Sequence, residues 1–249
     1  MAKSNPRNLA VKSCSYVSPN MRRIRLGGEA MASFPVNQES AYIKLMFASV
    51  DTGRPITRTY TIRNHYQESG DIDVDFVIHG DAGPASAWAA NAKVGDSMTI
   101  DGPGPKKLLD NSADWFLLAG DMTALPAISA NLKNLPDNAM GYAVIEILDE
   151  QDKQELQKPA SMAIHWVVNS LPTGEVSPLF ESVVAMPWLQ GRPSIWAACE
   201  FSTMRALRKY FKQDRAANKK DLYVSSYWKH GMDEGGHKIV KSKDSKLLG

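Results

Sequence analysis

Short runs of β-branched and aromatic residues fill the first hundred positions of the chain. The runs are rich in Val, Ile, Tyr and Thr, and clusters of Gly, Pro, Asn or Ser separate them at close spacing. Residues 71–78 alternate most cleanly, because Ile72, Val74 and Phe76 fall on one side and three aspartates on the other. This pattern is typical of a closed antiparallel barrel or a sandwich. The predicted strands are Leu9–Val17, Met21–Leu26, Ala41–Ala48, Thr57–Arg63, Asp71–Ile78 and Ser97–Ile100.

One stretch of the first half has a helical pattern instead. Residues 83–92 are rich in alanine, begin with Gly83-Pro84 and are followed by Gly95. Proline suits the first turn of a helix, where a missing N–H costs nothing. The sequence therefore predicts a short helix between the last two strands of the first half.

The pattern changes after a Pro/Gly cluster at residues 101–105, which is the predicted linker. Beyond it, continuous apolar runs alternate with helical patterns, as in a mostly parallel sheet with covered faces. Thr123 is expected to cap one helix and Ser202 or Thr203 another. The Lys-rich tail after Gly235 is expected to be partly disordered. The predicted strands are Trp115–Ala119, Tyr142–Leu148, Ile164–Val168, Ser194–Ala198 and Leu222–Ser225.

The fold class follows from these two sequence patterns, one in each half of the chain. We predict an N-terminal antiparallel β-barrel over residues 1–105. An α/β domain with a mostly parallel sheet and a basic C-terminal tail follows over residues 106–249.

Composition excludes several classes of protein. Hydrophobic residues make up 43% and charged residues 22%, so the chain is neither disordered nor membrane-embedded. The 29 Lys and Arg against 27 Asp and Glu give +2, which argues against a nucleic-acid binder. Cys14 and Cys199 form no disulfide framework and no signal peptide is visible, so a cytoplasmic protein is expected. A monomer is expected as well. The five scattered histidines indicate no metal site.

Charge is unevenly spread in the second half. Residues 137–155 hold six acids and one Lys, whereas residues 201–220 hold seven Lys or Arg and one Asp. A basic surface of this kind suits an acidic protein partner, and a solvated helix face is the alternative.

Arg58-Thr59-Tyr60-Thr61 is the first candidate for chemistry. In a strand, Arg58 and Tyr60 share one face and Thr59 and Thr61 the other. A guanidinium beside an aromatic ring suits a ligand with both a phosphate and an aromatic system. An exposed arginine beside a cross-strand tyrosine is the alternative.

Two further segments carry anion-binding or ligand-binding geometry. Gly83-Pro84-Ala85-Ser86 opens a helix, whose first N–H groups can bind phosphate, and an ordinary surface helix is the alternative. Residues 119–127 form a strand, turn and helix start, where open α/β sheets bind ligands. This second segment lacks the Gly-x-Gly-x-x-Gly dinucleotide fingerprint.

The order of these motifs resembles one family over nearly the whole chain. It is similar to the siderophore-interacting proteins, the flavin-dependent ferric-siderophore reductases of the ferredoxin–NADP reductase-like superfamily. The matching segments are Arg58-x-Tyr60-Thr61, Val77-Ile78-His79-Gly80, Gly83-Pro84-Ala85-Ser86-x-Trp88, Gly120-Asp121-x-Thr123-Ala124-Leu125-Pro126-Ala127 and Tyr227-Trp228-x-x-Gly231. Met122 departs from the pattern, since the family commonly has Glu there, and Cys199 stands where Gly is common.

The resemblance implies a flavin-binding barrel, a nicotinamide-binding-type α/β domain and FAD as the cofactor. Arg58 would pair with the pyrophosphate, Tyr60 would pack on the flavin and Thr61 would bond near its reactive edge. No side chain is expected to act as a catalyst, because the cofactor carries the chemistry. The implied cofactor-binding residues are Arg58, Thr59, Tyr60, Thr61, His79, Gly80, Gly83, Ala85, Ser86, Thr123, Ala124, Tyr227 and Trp228.

The implied substrate is a ferric siderophore, with an anionic catecholate favoured. The resemblance places Lys44 beside the open edge of the flavin, and a plain solvent-exposed lysine is the alternative. Lys229, Lys238 and Lys241 are candidate companions in the C-terminal region. A cationic pocket would attract an anionic chelate.

The expected activity is FAD-dependent reduction of ferric siderophores, with NADH, NADPH or reduced ferredoxin as the electron donor. Two alternatives stay open. One is a general flavin or ferredoxin reductase, and the other is a ferric-siderophore binder without enzymatic activity.

Overall fold

Two compact units make up the chain, and they divide between Lys107 and Leu108. The computed structural model describes residues 5–48, 55–78 and 83–246. Each unit has its own hydrophobic core. Within the described ranges, every helix is too short or too polar to cross a membrane.

The first unit is a closed antiparallel barrel, which confirms the predicted class. Its strands are β1 (Arg7–Ser18), β2 (Met21–Gly27), β3 (Tyr42–Phe47), β4 (Ile56–His65), β5 (Ile72–Val77) and β6 (Ser97–Asp101). They close in the order β1-β2-β5-β4-β3-β6. Each described pair is antiparallel.

Acidic residues of β5 are buried although they alternate with the core positions. Asp73 and Asp75 are 1% and 4% exposed. On β2, Arg25 Nε lies 2.8 Å from Asp73 Oδ1 and Arg23 Nε lies 2.6 Å from Asp75 Oδ1. Because a buried carboxylate is tolerated only when it is paired, these arginines complete the outer face of the barrel.

The predicted short helix is present as α1 (Pro84–Asn91). Ala85 and Ala89 are buried in the barrel core. The ring centroid of Trp88 lies 6.4 Å from that of Phe47 and 5.7 Å from that of Phe76. Trp88 therefore belongs to the core packing that holds α1 on the barrel.

The second unit is a parallel sheet covered by helices. Its strands are β7 (Trp115–Gly120), β8 (Gly141–Ile147), β9 (Met162–Val168), β10 (Pro193–Glu200) and β11 (Leu222–Trp228). Its α-helices are α2 (Leu125–Lys133), α3 (Pro178–Ala185), α4 (Phe201–Lys209) and α5 (Glu234–Lys246), and a π-helical turn follows α4 at Tyr210–Asp214. The strand order is β11-β10-β7-β8-β9, and each described pair is parallel. Helix α3 is not among the predicted elements.

Both predicted helix caps are wrong. The N-cap of α2 is Ala124, because the Thr123 hydroxyl bonds to a neighbouring carboxylate instead. The N-cap of α4 is Glu200, whose carboxylate accepts the backbone N–H of Ser202. Thr203 is buried, and its hydroxyl donates a hydrogen bond to Ser177 Oγ at 3.2 Å.

The Lys-rich tail is also not as predicted, since residues 234–246 form α5. His237 is buried, with Nε2 2.8 Å from Ser226 Oγ of β11. Lys241 Nζ donates 2.7 Å hydrogen bonds to Ser225 Oγ and to the Ser226 carbonyl. Asp244 accepts a 2.7 Å ion pair from Arg208 of α4. These long-range polar contacts order a segment whose composition alone favours disorder.

Candidate functional site

Arg58 and Tyr60 lie in the middle of β4, and the register with β3 fixes their orientation. Tyr60 pairs with Ile43 and Arg58 pairs with Leu45. Both partners are fully buried. Because directly paired residues share a face, Arg58 and Tyr60 lie on the same face of β4, as the alternation predicts.

Lys44 lies on the opposite face of the same pair of strands. It stands between Thr59 of β4 and Asp101 of β6. Thr59 is exposed, whereas Thr61 is 8% exposed and pairs with Tyr42. The structure therefore brings Lys44 close to the Arg58–Thr61 motif without placing it on the face of Arg58 and Tyr60.

Phe76 links the motif on β4 to helix α1. Its ring centroid is 4.5 Å from that of Tyr60 and 5.7 Å from that of Trp88. One aromatic cluster thus contacts both predicted cofactor-binding segments of the barrel. The barrel brings these two segments together, although about 25 residues separate them in the sequence.

The N-terminus of α1 has the features of an anion site. Gly83 is the N-cap, it provides no side-chain cap, and a Cβ added to it would meet nothing within 4 Å. The first hydrogen bond of the helix runs from Ala87 N–H to the Gly83 carbonyl, so the N–H groups of Ala85 and Ser86 precede the helical ladder. The Ser86 hydroxyl donates to the Val77 carbonyl at 3.1 Å. His79 and Gly80, which complete the predicted set in the barrel, lie outside the described residues.

Asp121 is the centre of the polar contacts at the carboxyl edge of the parallel sheet. Its Oδ1 accepts the backbone N–H and the hydroxyl of Thr123, at 2.9 and 2.5 Å. Its Oδ2 accepts the Glu200 N–H at 2.9 Å and the indole N–H of Trp228 at 2.8 Å. Burial raises the pKa of the Asp121 carboxyl, and the four donors oppose that rise. One carboxylate therefore connects the ends of β7, β10 and β11.

The predicted residues of this unit occupy different surroundings. Thr123 and Trp228 meet at Asp121. Ala124 is fully buried. The Tyr227 ring centroid lies 6.2 Å from that of Trp196 in an edge-on contact. The structure thus brings Thr123 and Trp228 together and directs Tyr227 to a separate aromatic contact.

A pocket of about 80 Å³ opens at the same sheet edge. Glu146, Glu200 and Trp228 line it together with the loop 171–178. Burial raises the pKa of the Glu146 carboxyl. Cys199 is 1% exposed, and burial, followed by the charges of the neighbouring carboxylates, raises the pKa of its thiol well above the usual value. A thiol in this environment is not a nucleophile at neutral pH.

Lys229, Lys238 and Lys241 surround His237 in the second unit. The Lys229 ammonium lies 4.9 Å from the centroid of an aromatic ring of α4, and Lys238 forms a 2.5 Å ion pair with Glu234. Burial, and next the charge of Lys241, lower the pKa of His237 to about 4. The Lys241 ammonium is bound to two oxygens of β11, so its contacts in the structure hold α5 against the sheet.

Two residues with central contacts in the structure are absent from the predicted site residues. They are Asp121, which the sequence places in a turn, and Arg22 of β2, whose guanidinium binds carbonyls at the end of α1. For Asp121 a local signal existed, since Asp followed two residues later by Thr is typical of an Asx turn. For Arg22 the local sequence offers no signal, because the backbone carbonyls that its guanidinium binds lie 67 to 70 positions away.

Comparison with known proteins identifies the family. Residues 10–107 match the model described as the siderophore-interacting FAD-binding domain, and residues 113–231 match that of the siderophore-interacting protein. The chain is 34% identical to the ferric vibriobactin reductase ViuB of Vibrio cholerae, over 92% of this chain and 91% of that protein. The chain belongs to the siderophore-interacting protein family.

Solved structures agree with this assignment. The siderophore-interacting protein SipS from Aeromonas hydrophila is 33% identical, with a TM-score of 0.88 over 98% of this chain and 99% of that one. The ferredoxin–NADP⁺ reductase from Plasmodium falciparum is 14% identical, with a TM-score of 0.64 over 90% and 97%. This second likeness shows that the chain shares the reductase fold.

Asp121→Asn should destabilise the protein. An amide would direct its own N–H donors at two of the four donors that the carboxylate accepts, and each unsatisfied buried group costs about 1–3 kcal/mol. We expect urea unfolding at pH 7, followed by tryptophan fluorescence, to show a loss of about 2–4 kcal/mol. The exposed Asp137→Asn is the matched control. An unchanged midpoint in Asp121→Asn would contradict the role given to this carboxylate.

Proposed function

We propose that the protein catalyses FAD-dependent reduction of ferric siderophores and thereby releases ferrous iron in the cytoplasm. The observation that carries the proposal is the joint placement of the Arg58–Thr61 motif and the N-terminus of α1 in one barrel. The match to a siderophore-interacting FAD-binding domain supports it. So does the name of ViuB, a ferric vibriobactin reductase.

The residues of the barrel fit the chemistry of FAD. Arg58 is half-buried, and one of its five N–H donors bonds to the Thr57 carbonyl at 3.0 Å. The remaining donors suit a pyrophosphate, and the N–H groups of Ala85 and Ser86 supply the helix-terminal site that anions prefer. The Tyr60 ring offers a flat surface to the flavin. We assign the phosphate-binding role to Arg58 and the start of α1, and the ring-packing role to Tyr60.

FAD, when bound, accepts electrons from a donor and passes them singly to iron. The chain's own residues bind and orient. Thr61, His79 and Gly80 line the flavin in our proposal, and Thr59 lies on the same strand. In the second unit, Thr123, Ala124, Tyr227 and Trp228 complete the cofactor-binding set.

The substrate is a ferric chelate, and we favour an anionic catecholate. Fe(III) is a hard cation held by anionic oxygens, and gaining one electron weakens that hold. In our proposal Lys44 attracts the chelate, with Lys229, Lys238 and Lys241 as companions. Of these four, Lys241 has the weakest support, because its ammonium is bound to β11.

For the electron donor we favour reduced ferredoxin over NADH and NADPH. The carboxylates of Glu146 and Glu200 line the pocket at the sheet edge, where a dinucleotide would place its phosphates. The pocket is also smaller than the roughly 300–1,000 Å³ typical of small-molecule sites. In contrast, exposed lysines at 209, 212, 219 and 220 give a basic surface that suits an acidic protein.

Trapping of Fe(II) tests the activity directly. The purified protein, loaded with FAD, is mixed with ferric catecholate or hydroxamate chelates and with NADH, NADPH or reduced ferredoxin in turn. We expect Fe(II) to form with at least one chelate, and fastest with reduced ferredoxin at low salt, because exposed charges steer association. Turnover of donor with free flavin but no effect of the chelate would indicate a general flavin reductase. Chelate binding without Fe(II) formation would indicate a binder.

Arg58→Ala should weaken FAD binding about ten- to hundredfold, because a charge-assisted pair to phosphate contributes about 1.5–3 kcal/mol. The measurement is titration of the apoprotein with FAD. Arg58→Lys should be intermediate, since an ammonium keeps the charge but lacks the planar fork. Lys12→Ala, an exposed change on β1, is the control. Equal affinity in Arg58→Ala and the parent would remove Arg58 from the phosphate site.

Lys44→Ala should weaken binding of a ferric tris-catecholate about two- to fivefold at low salt and leave the FAD content unchanged. The loss should shrink as salt rises, because screening acts over about 8–10 Å at physiological ionic strength. A neutral ferric hydroxamate serves as the control ligand and should respond much less. Unchanged catecholate affinity at low salt would exclude Lys44 from the substrate site.

A further inference from the structure

The backbone carbonyls at the C-terminal end of helix α1 need hydrogen-bond donors from outside the helix. It has eight residues, no basic residue in its last turn and Ala92 as the C-cap. A helix this short is marginal by itself, and its last carbonyls have no partners within the helix. Something outside the helix must therefore satisfy them.

Arg22 of β2 satisfies these carbonyls, although it precedes them by 67 to 70 positions in the sequence. Its Nη1 donates to the carbonyls of Ala89, at 2.7 Å, and of Ala90. Its Nη2 donates to the Ala92 carbonyl at 2.9 Å. One guanidinium thus binds three carbonyls at the negative end of the helix, where a cation is most favourable.

Two further contacts fix the guanidinium itself. Nη2 lies 3.3 Å from Cys14 Sγ, which in turn lies 3.4 Å from the Ala92 carbonyl. The carbon at the centre of the guanidinium is 5.5 Å from the centroid of the Tyr16 ring. Two residues of β1 therefore contact the guanidinium, and the barrel sets its position.

Polar contacts thus attach both ends of α1 to the barrel. Ser86 attaches the first turn to β5 through the Val77 carbonyl, and Arg22 attaches the last turn to β2. The buried alanines of the helix fix its rotation, whereas these two polar attachments fix its position along its axis. A helix of eight residues is about 12 Å long, so Arg22 acts on the first turn through the helix.

We propose that Arg22 is a positioning residue for the cofactor: by binding the C-terminal carbonyls of α1, it fixes the N–H groups of Ala85 and Ser86 where they meet the pyrophosphate. This proposal rests on the assignment of α1 to FAD binding under the proposed function. Arg22 touches neither the cofactor nor the substrate in this role.

The test combines affinity with a spectroscopic signature of the phosphates. Arg22→Gln removes the charge and the fork, and Arg22→Lys keeps only the charge. FAD affinity is measured by titration of the apoprotein, and the saturated complexes are compared by ³¹P NMR and by the visible absorption of the flavin. We expect the Kd for FAD to rise about tenfold in Arg22→Gln and less in Arg22→Lys. The ³¹P resonances should shift towards those of free FAD while the flavin absorption bands stay unchanged.

Arg25→Gln is the matched control. Arg25 lies on the same strand and pairs with buried Asp73, so its loss should destabilise the barrel without contact to α1. It should leave the ³¹P resonances in place. If Arg22→Gln leaves them in place too, or affects affinity and spectra as Arg25→Gln does, Arg22 is only structural and the proposal is overturned. If the parent protein does not bind FAD, the proposed function fails before any variant is compared. Should Arg22→Gln fail to fold, the ³¹P shift of Arg22→Lys decides the question alone.

Discussion

The carboxylate of Asp121 organises the carboxyl edge of the parallel sheet. It is buried, and four donors converge on it from the turn after β7, from the end of β10 and from the indole at the end of β11. A buried charge without partners would be prohibitively costly, so these partners must all stay in place. The positions of Thr123, Glu200 and Trp228 follow from that one requirement.

In the barrel, arginine side chains satisfy the buried carboxylates and the carbonyls at the end of α1. Arg23 and Arg25 cover the buried aspartates of β5, and their neighbour Arg22 holds the end of α1. Three of the four residues 22–25 of β2 are thus arginines, and each of these arginines has a partner elsewhere in the barrel. The planar guanidinium suits all these tasks, because it satisfies several acceptors at once. The same residue type thereby pairs with the buried aspartates of the barrel and binds the C-terminal carbonyls of α1.

The electrostatic surroundings in the second unit bear on its chemistry. Burial, and next the charges of Asp121, Glu146 and Glu200, raise the pKa of the Cys199 thiol, so this cysteine offers no nucleophile at neutral pH. The exposed lysines at 209, 212, 219 and 220 form a basic surface, whereas the carboxylates at the sheet edge are acidic. The net charge of +2 does not reveal this uneven distribution of charge.

The sequence pattern is sufficient to predict the two fold classes and most strands. These depend on local pattern: alternation buries one face of a strand, and continuous apolar runs indicate a sheet covered on both sides. The contacts of Arg22, of Asp121 and of the tail depend on the tertiary structure. The α1 carbonyls that Arg22 binds lie 67 to 70 residues away, and the partners of Asp121 include Trp228, 107 residues away. The tail is helical because His237, Lys241 and Asp244 bind β11 and α4. No local pattern encodes a hydrogen bond between distant segments, because the fold must first bring its two groups together.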